Sequence, residues 1–357
     1  MKRVAFYAPM KPPTHPVPSG DRAMARALMQ ALSCAGYQPD LASDLQTRDG
    51  RGEQKTQEAI TTAAAAETGR VIATGRKADW QAWVTYHNYY KAPDLLGPDV
   101  AAALDIPYIL VEATRARKRL GGAWDGFARA AEAACDAAAT ICYLTERDAD
   151  ALRRDAPAGQ KLVHLHPFLG SDRLPAASSL DGPMISVGMF RAGDKLASYR
   201  LIAETLGQLE IPEWRLKIVG DGPAREQVRD LMAPFGERVG FAGELDAAAL
   251  DAALSTSSLL LWPGVNEAFG MVYLEAQAAG LPVVAQDRPG VRDVLAPGHR
   301  PDPASGASAL ASAVSALLRD RPERQRRGAD ARAYVAENHM LAGAARTLGS
   351  LIGSAAA

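Results

Sequence analysis

The stretch SSLLLWPGVNEAFGMVYLEAQAAG, residues 257–280, shows the pattern from which the fold is predicted. The unbroken apolar run of Ser258–Trp262 predicts a buried strand, and the Pro-Gly pair after it predicts a turn. Helical periodicity then begins at Met271 and ends at Gly280. Because short apolar strands that alternate with helices are typical of parallel, doubly wound sheets, this stretch predicts an α/β protein.

The same alternation continues on both sides of this stretch. Asp21–Ala35 predicts a helix, and Glu323–Ile352 predicts one or two terminal helices broken near Asn338. The other predicted strands are Val4–Ala8, Val71–Thr74, Trp83–Tyr86, Tyr108–Glu112, Thr140–Leu144, Lys161–His166, Met184–Gly188, Arg215–Val219, Val239–Ala242 and Val283–Ala285.

The length of 357 residues is about twice that of a usual domain, so we expect two domains. A Pro-, Ser- and Gly-rich segment follows the sixth predicted strand and is interpreted as a linker. The predicted parts are an N-terminal Rossmann-like domain at 1–170, a linker at 171–182, a C-terminal Rossmann-like domain at 183–335 and a C-terminal helix at 336–357 that packs back on the N-terminal domain. We expect the carboxyl ends of both sheets to face a central cleft, where such sheets bind ligands.

Composition and charge exclude several classes of protein. The formal net charge is −1 and neither half is strongly charged, so no nucleic-acid partner is expected. The three cysteines are scattered and offer neither a disulfide framework nor a C-x-x-C pair. No run approaches the ~20 apolar residues that cross a bilayer, and Pro12 and Pro13 interrupt the first apolar run too early for a signal peptide. We expect a soluble, cytoplasmic protein.

Two glutamates, Glu267 and Glu275, lie eight residues apart around the start of the predicted helix. Since a helix rises about 1.5 Å per residue, the two carboxylates are expected to reach different hydroxyl groups of one ligand. The backbone amides between them, at the N-terminus of the helix, offer a phosphate site. Because Gly270 has no Cβ, a ligand can approach the backbone closely there. Those amides belong to Phe269, Gly270, Met271 and Val272. The pattern favours a sugar nucleotide, and the alternative is a surface glutamate plus a capping one.

Two cations follow the first predicted strand of the second domain. Arg191 and Lys195 come just after Gly188, which provides clearance at the strand end. Such cations suit the concentrated negative charge of a diphosphate leaving group. The alternative is solvated surface charge, which the position after a strand disfavours.

The next strand ends in the turn GDGP, which begins at Gly220 and continues through Gly222. Its backbone is able to face a base or a ribose. The G-x-G part is similar to a dinucleotide fingerprint, but Pro223 and Arg225 break that fingerprint and no second acidic residue follows at the required distance. A nicotinamide enzyme is therefore disfavoured, and a purely structural turn is the alternative.

The pattern E-x-F-G-x-x-x-x-E after such a strand resembles the signature of retaining glycosyltransferases of family 4, which have the two-domain GT-B fold. The resemblance continues through EAQAAGLPVVAQDRPGVRDVLAPG, although the usual Gly-Gly pair is here Pro289 and Gly290, and a usual glutamate is Asp293. It implies that Glu267 binds donor sugar hydroxyls, that Glu275 binds the ribose, and that the amides between them bind the diphosphate.

The resemblance also implies roles for other residues of the donor site. Arg191 and Lys195 match an arginine and a lysine that stabilise the departing diphosphate. The GDGP turn and the loop FAGEL, which contains Glu244 and Leu245, match segments that flank the nucleotide base.

In the first domain, the resemblance points to the ends of two predicted elements. Gly20 matches a glycine near the donor phosphates, whereas Ser19 or Asp21 is a candidate helix cap. His87 follows a strand, where the family has a functional histidine near the reacting sugar; a lone histidine is otherwise usually structural. The candidates for the acceptor side are Arg22, Tyr86, Asn88 and Tyr89.

The implied reaction transfers a sugar from a nucleoside diphosphate sugar to an acceptor hydroxyl, with retention at the anomeric carbon. The leaving phosphate is a candidate acceptor for the proton. No cofactor and no metal is implied, because no ligand cluster is present and the two cations can supply the charge. We expect a UDP-sugar as donor, with a GDP-sugar as the alternative.

The acceptor is less defined than the donor. A basic segment, Arg115–Arg119 followed by Trp124, suits anionic lipid at the inner face of a membrane, or forms a solvated helix face. Bacterial relatives favour a lipid or cell-envelope saccharide precursor as acceptor. The alternative functions are a GT-B phosphorylase, epimerase or polymerase, and a nucleotide-sugar-binding protein without turnover.

Overall fold

A computed structural model describes residues 1–17 and 19–355, which form two compact units. One unit is Met1–Ser171 with Leu341–Ala357, and the other is Asp172–Met340. Pro18, in the predicted phosphate loop, and residues 356 and 357 of the predicted C-terminal helix lie outside the described residues.

The first unit contains a six-stranded sheet in which every paired strand is parallel. Its strands are β1 (Lys2–Tyr7), β2 (Tyr37–Ser43), β3 (Trp80–Asn88), β4 (Tyr108–Ala113), β5 (Thr140–Tyr143) and β6 (Lys161–His164), in the order β2-β1-β3-β4-β5-β6. Its helices are α1 (Gly20–Cys34), α2 (Gln54–Ala78), α3 (Gly97–Leu104), α4 (Asp125–Ala137) and α5 (Glu146–Asp155). The order reverses between β1 and β3, which makes that position the switch point of the sheet.

One predicted strand of this unit is wrong, and one observed strand was not predicted. Val71–Thr74 is not a strand. It is part of α2, a long alanine-rich helix in which the side chain of Val71 is buried. A short run rich in β-branched residues occurs both in strands and on the buried face of helices. Four residues are too few to show which of the two periodicities applies. Tyr37–Ser43 is a strand that the sequence analysis did not predict, and it contains Pro39. The strand is at the edge of the sheet, where proline is tolerated.

The second unit contains a parallel five-stranded sheet. Its strands are β7 (Met184–Val187), β8 (Leu216–Val219), β9 (Val239–Gly243), β10 (Leu260–Leu261) and β11 (Val283–Val284), in the order β11-β10-β7-β8-β9. Its helices are α6 (Asp194–Leu206), α7 (Arg225–Met232), α8 (Ala247–Ser255), α9 (Met271–Ala278), α10 (Pro289–Arg292), α11 (Gly306–Arg319) and α12 (Arg321–Asn338). Here the switch point lies between β7 and β10.

The last helix, α13 (Leu341–Ala355), contacts α1 within the first unit. Its side chains Leu348 and Ile352 are buried. In the second unit the core beneath the sheet edge is aromatic, with Tyr199, Trp262 and Tyr273 fully buried. Along the part of the chain that the structure describes, no helix combines the length and the apolarity needed to cross a membrane.

Candidate functional site

The predicted donor residues follow four strands of the second unit. Gly188 follows β7, Gly220 follows β8, Glu244 follows β9, and Glu267 lies in the loop after β10. Because the strands are parallel, their carboxyl ends lie on one edge of the sheet. The residues after β7 and β10 also flank the switch point, where open α/β sheets form their ligand crevice.

The loop after β10 is held by side chains of helix α6. The amide of Asn266 donates to Asp194 Oδ1 at 2.8 Å, and the backbone N–H of Val265 donates to Ser198 Oγ at 3.1 Å. Asn266 has a φ of 49°, a left-handed conformation that few residues adopt without strain. These bonds fix the backbone immediately before Glu267.

Lys195 and Glu267 are brought into direct contact, although 72 residues separate them. The Lys195 ammonium binds Oε1 of Glu267, and the indole N–H of Trp262 donates to the same oxygen at 3.0 Å. The Glu267 side chain is 12% exposed and that of Lys195 is 28% exposed. Arg191 remains exposed on the loop after β7. The sequence pattern did not single out Trp262.

The start of α9 presents unused backbone donors. Among the described residues, no acceptor is bound to the N–H groups of Phe269, Gly270, Met271 and Val272. Gly270 caps the helix with a φ of 72°. Free amides at a helix N-terminus can bind an anion, and the contact of these amides with a phosphate stays a prediction.

Glu275 lies one turn further along α9. Burial, reinforced by the carboxylate of Asp251, raises the pKa of Glu275 to about 7. A carboxyl group with this pKa is mostly ionised above pH 7 and mostly protonated below it. Because the ionised form is the better acceptor of hydrogen bonds from hydroxyl groups, Glu275 is better suited to bind them above pH 7.

The GDGP turn packs against the segment after β7. A Cβ on Gly222, whose φ is 148°, would lie 2.5 Å from the carbonyl oxygen of Phe190, and one on Gly220 would overlap the carbonyl oxygen of Gly188. The N–H of Gly220 donates to Gly243 at the end of β9 at 2.8 Å. The glycines thus bring three strand ends together. Their contact with a base stays a prediction. The roles of the exposed Glu244 and the half-buried Leu245 also stay predictions.

The Pro-Gly pair at 289 and 290 keeps the glycine that the packing needs. A Cβ on Gly290 would overlap the carbonyl oxygen of Ala268 and lie 2.7 Å from that of Glu267. Helix α10 therefore touches the backbone of the loop that carries Glu267, and its second residue has to be glycine.

In the first unit, His87 lies between two carboxylates at the switch point. His87 Nδ1 is 3.4 Å from Asp21 Oδ1 and 3.8 Å from Glu112 Oε2. Burial alone would lower the pKa of His87, but the charges of Glu112 and Asp21, together with that of Asp148, raise it to about 9. The imidazole is therefore protonated at neutral pH.

Glu112 is a site residue that the sequence analysis missed. It is buried, its φ is 59°, and its Oε2 has no hydrogen-bond partner among the described residues. Burial raises the pKa of its carboxyl group. His87 also has a left-handed φ, of 69°. Strained residues at adjacent strand ends are typical of functional sites, and the acidic end of the apolar run PYILVE was the available signal.

Two acceptor-side predictions need correction. Asn88 does not line an open surface: it is fully buried, its amide donates to Ala131 at 3.0 Å, and its side-chain oxygen accepts the N–H of Asp94 at 2.9 Å. Its neighbour Tyr86 is buried too and interacts with Glu112. The strand places both side chains in the core, so only the partly exposed Tyr89 remains available in this group.

The loop before α1 uses its predicted residues structurally. The guanidinium of Arg22 donates to the carbonyl oxygens of His15 and Pro16 at 2.9 and 3.0 Å. Ser19 caps α1 by accepting the N–H of Arg22 at 3.3 Å. Gly20 is the exposed first residue of the helix, and its contact with phosphate stays a prediction.

The basic segment before α4 is partly neutralised. Arg115 is buried and binds Glu132 and Asp136 at 2.8 and 2.6 Å. Arg117 also lies near Glu132 and near Asp155. Only the remaining cations of this segment are available to an anionic partner, which weakens the interpretation as a membrane-binding surface.

A family match covers much of the second unit. Residues 193–334 match the model of the family described as "Glycosyl transferases group 1". The phosphatidyl-myo-inositol mannosyltransferase of Mycobacterium leprae is 40% identical over 115 residues, which cover 31% of this chain and 30% of that protein. The matches to the first curated relatives span 30 to 60% of their lengths.

Solved structures resemble the whole chain. Sucrose-phosphate synthase from Thermosynechococcus elongatus has a TM-score of 0.76 at 20% identity, over 99% of each chain. Anabaena HepE in complex with UDP and glucose has a TM-score of 0.72 at 14% identity, over 99% of this chain and 100% of that one. At these identities the likeness shows the fold, and the prediction of a GT-B fold with two Rossmann-like domains is confirmed.

Proposed function

We propose that this chain, whose residues 193–334 match the model of the group 1 glycosyl transferases, transfers a sugar from a nucleoside diphosphate sugar to an acceptor hydroxyl with retention. The observation that carries the proposal is the group formed by Lys195, Glu267 and the free amides of α9 at one switch point. It combines a cation, a carboxylate that can accept hydrogen bonds from hydroxyl groups, and a phosphate site.

Each part of the group has a role that follows from its chemistry. Lys195 and the exposed Arg191 neutralise the diphosphate as it leaves, and the amides of α9 bind its oxygens. Glu267 accepts hydrogen bonds from sugar hydroxyls, and Glu275, one turn into the helix, accepts those of the ribose. The charge that develops on the leaving group is thus met by the amides of α9 and by the two cations.

His87 and its two carboxylates are proposed to act on the side of the reacting sugar. The protonated imidazole is held by Asp21 and Glu112, so it offers a fixed donor at the carboxyl end of β3. A hydrogen bond from this donor would orient the sugar or its acceptor without any change of protonation at neutral pH.

The substrate classes are proposed from the relatives. HepE is described in complex with UDP and glucose, which supports a UDP-sugar as donor. The Mycobacterium leprae relative is named a phosphatidyl-myo-inositol mannosyltransferase, which supports a lipid or envelope saccharide precursor as acceptor. A GDP-sugar is the alternative donor.

Donor binding is the first experiment. Thermal unfolding of the purified protein is followed with a panel of UDP- and GDP-sugars, because a ligand of the folded state raises the unfolding temperature. Slow hydrolysis of the stabilising sugar nucleotide is measured next. We expect Glu267→Ala to abolish it, whereas the control Glu213→Ala, an exposed residue before β8, retains it. The proposal is wrong if no sugar nucleotide stabilises the protein or if Glu267→Ala hydrolyses it normally.

A further inference from the structure

We propose that Trp262 is a positioning residue of the donor site: its indole N–H keeps Glu267 oriented toward the sugar when the diphosphate takes Lys195 away. This inference rests on the proposed function, because it assigns the sugar to Glu267 and the diphosphate to Lys195. It concerns a side chain that lies beneath the site rather than in the loop that binds the ligand.

Trp262 is rigidly packed. Its side chain is fully buried, and its ring meets that of Tyr199 edge-on, with the centres 5.2 Å apart. The Tyr273 hydroxyl donates to its carbonyl oxygen at 3.0 Å, and the ring lies so close to Gly188 that a Cβ there would be 2.5 Å away. These contacts from three elements leave the indole one orientation.

That orientation points the indole N–H at Glu267. The N–H donates to Oε1 at 3.0 Å, and the Lys195 ammonium binds the same oxygen. The ammonium also lies over the indole ring, 5.2 Å from its centre. One carboxylate oxygen therefore has two partners, a charged one on a flexible side chain and a neutral one in the core.

The two partners respond differently to a diphosphate. A phosphate group attracts the ammonium of Lys195 but has no means of displacing a buried indole. After Lys195 has moved, the indole still occupies Oε1, and Oε2 remains for a sugar hydroxyl. Without the indole, the largely buried carboxylate would have no donor among the described side chains once Lys195 has moved, which is costly and leaves its orientation undefined.

The test compares a sugar nucleotide with its free diphosphate. UDP-glucose and UDP, and GDP-mannose and GDP, are titrated calorimetrically into the wild type, and the pair that binds is used with Trp262→Phe. This variant keeps an aromatic ring under Lys195 but lacks the N–H. We expect about 10-fold weaker binding of the sugar nucleotide, as for a lost hydrogen bond to a charged group, and binding of the free diphosphate within about twofold of the wild type.

A double-mutant cycle separates positioning from packing. In a Glu267→Ala background, Trp262→Phe is expected to change sugar-nucleotide affinity by less than about twofold, because the carboxylate that it positions is gone. An equal loss for the sugar nucleotide and the diphosphate, or the same loss in the Glu267→Ala background, would mean that Trp262 only supports the fold. Unchanged affinities in Trp262→Phe overturn the inference as well.

A resonance experiment covers the case in which Trp262→Phe does not fold. The indole N–H signal of Trp262 in the wild type is expected to shift in Glu267→Gln and to stay protected from solvent exchange in the presence of the sugar nucleotide. A signal that exchanges freely in the complex overturns the inference. Where neither of these two sugar nucleotides binds the wild type, the stabilising member of the UDP- and GDP-sugar panel is used with its free diphosphate. If no member of that panel binds, the proposed function itself is wrong and this inference falls with it.

Discussion

The ammonium of Lys195 lies against Oε1 of Glu267, so the free protein pairs two side chains that are proposed to bind different parts of the donor. Part of the attraction of Lys195 for a diphosphate is therefore spent on separating this pair. We predict that Glu267→Ala binds free UDP or GDP as tightly as the wild type or severalfold more tightly, while losing turnover of the sugar nucleotide.

Removal of the cation instead of the carboxylate should weaken the binding of the free diphosphate. Lys195→Ala removes the cation that meets the diphosphate, and we expect at least 10-fold weaker binding of the free diphosphate, measured by titration calorimetry. The two variants together test the assignment, because a site in which Glu267 held the diphosphate would show the reverse order.

The pKa of Glu275 predicts how donor affinity depends on pH. Burial and Asp251 raise that pKa to about 7, so a carboxylate that binds ribose hydroxyls is present above this pH and is protonated below it. We expect affinity for the sugar nucleotide to rise about 3- to 10-fold between pH 6 and pH 8. The doubly esterified diphosphate of the ligand does not titrate in this range. Glu275→Gln should bind weakly and without this dependence, and a pH-independent wild type would contradict the assignment.

The pKa of His87 predicts a pH dependence of stability. Its folded value of about 9 lies above the ordinary value of 6.5, so the protonated form is favoured by folding. The resulting stabilisation is complete below about pH 6.5 and is lost as the pH rises through 9. It amounts to roughly 3 kcal/mol, since each pKa unit corresponds to about 1.4 kcal/mol.

This stability difference is measured as the change in urea midpoint from pH 6 to pH 10 for the wild type and His87→Gln. The wild type should lose more stability than the variant over this range, because other titrating groups are common to both. Glu112→Gln, which removes one neighbouring carboxylate, should shift the transition of His87 to lower pH. Parallel curves for the wild type and His87→Gln would show that the carboxylates do not hold the proton.

The contact of Gly290 with the loop predicts an effect on the donor site from outside it. Gly290→Ala places a Cβ against the carbonyl oxygen of Ala268 and must displace the backbone that carries Glu267. We expect a loss of about 1 to 3 kcal/mol in stability and at least 10-fold in sugar-nucleotide affinity. Gly240→Ala is the matched control, because its Cβ meets nothing within 4 Å. Equal behaviour of the two variants would exclude the proposed coupling.

The element pattern and half of the donor site were visible in the sequence. The alternation of strands and helices predicted two parallel sheets, and NEAFGMVYLE, with its two glutamates and glycine, predicted the loop and helix that carry them. These features depend on periodicity and on turn residues that act within about ten positions of the chain. Where such local signals are ambiguous, as at Val71–Thr74, the prediction was wrong, and the strand that contains Pro39 was not predicted.

The contacts that give the site its chemistry depend on residues far apart in the chain. Lys195 meets Glu267 across 72 positions, and His87 meets Asp21 and Glu112 because three neighbouring strand ends and a helix start come together at one switch point. The sequence likewise did not determine that Asn88 is buried or that an indole lies beneath Glu267, because both depend on how the strands and helices pack together. NEAFGMVYLE specifies which chemical groups a ligand can use. The orientation, charge and partners of those groups are set by packing between distant segments of the chain, because these properties arise only when the packed segments exclude water from the groups.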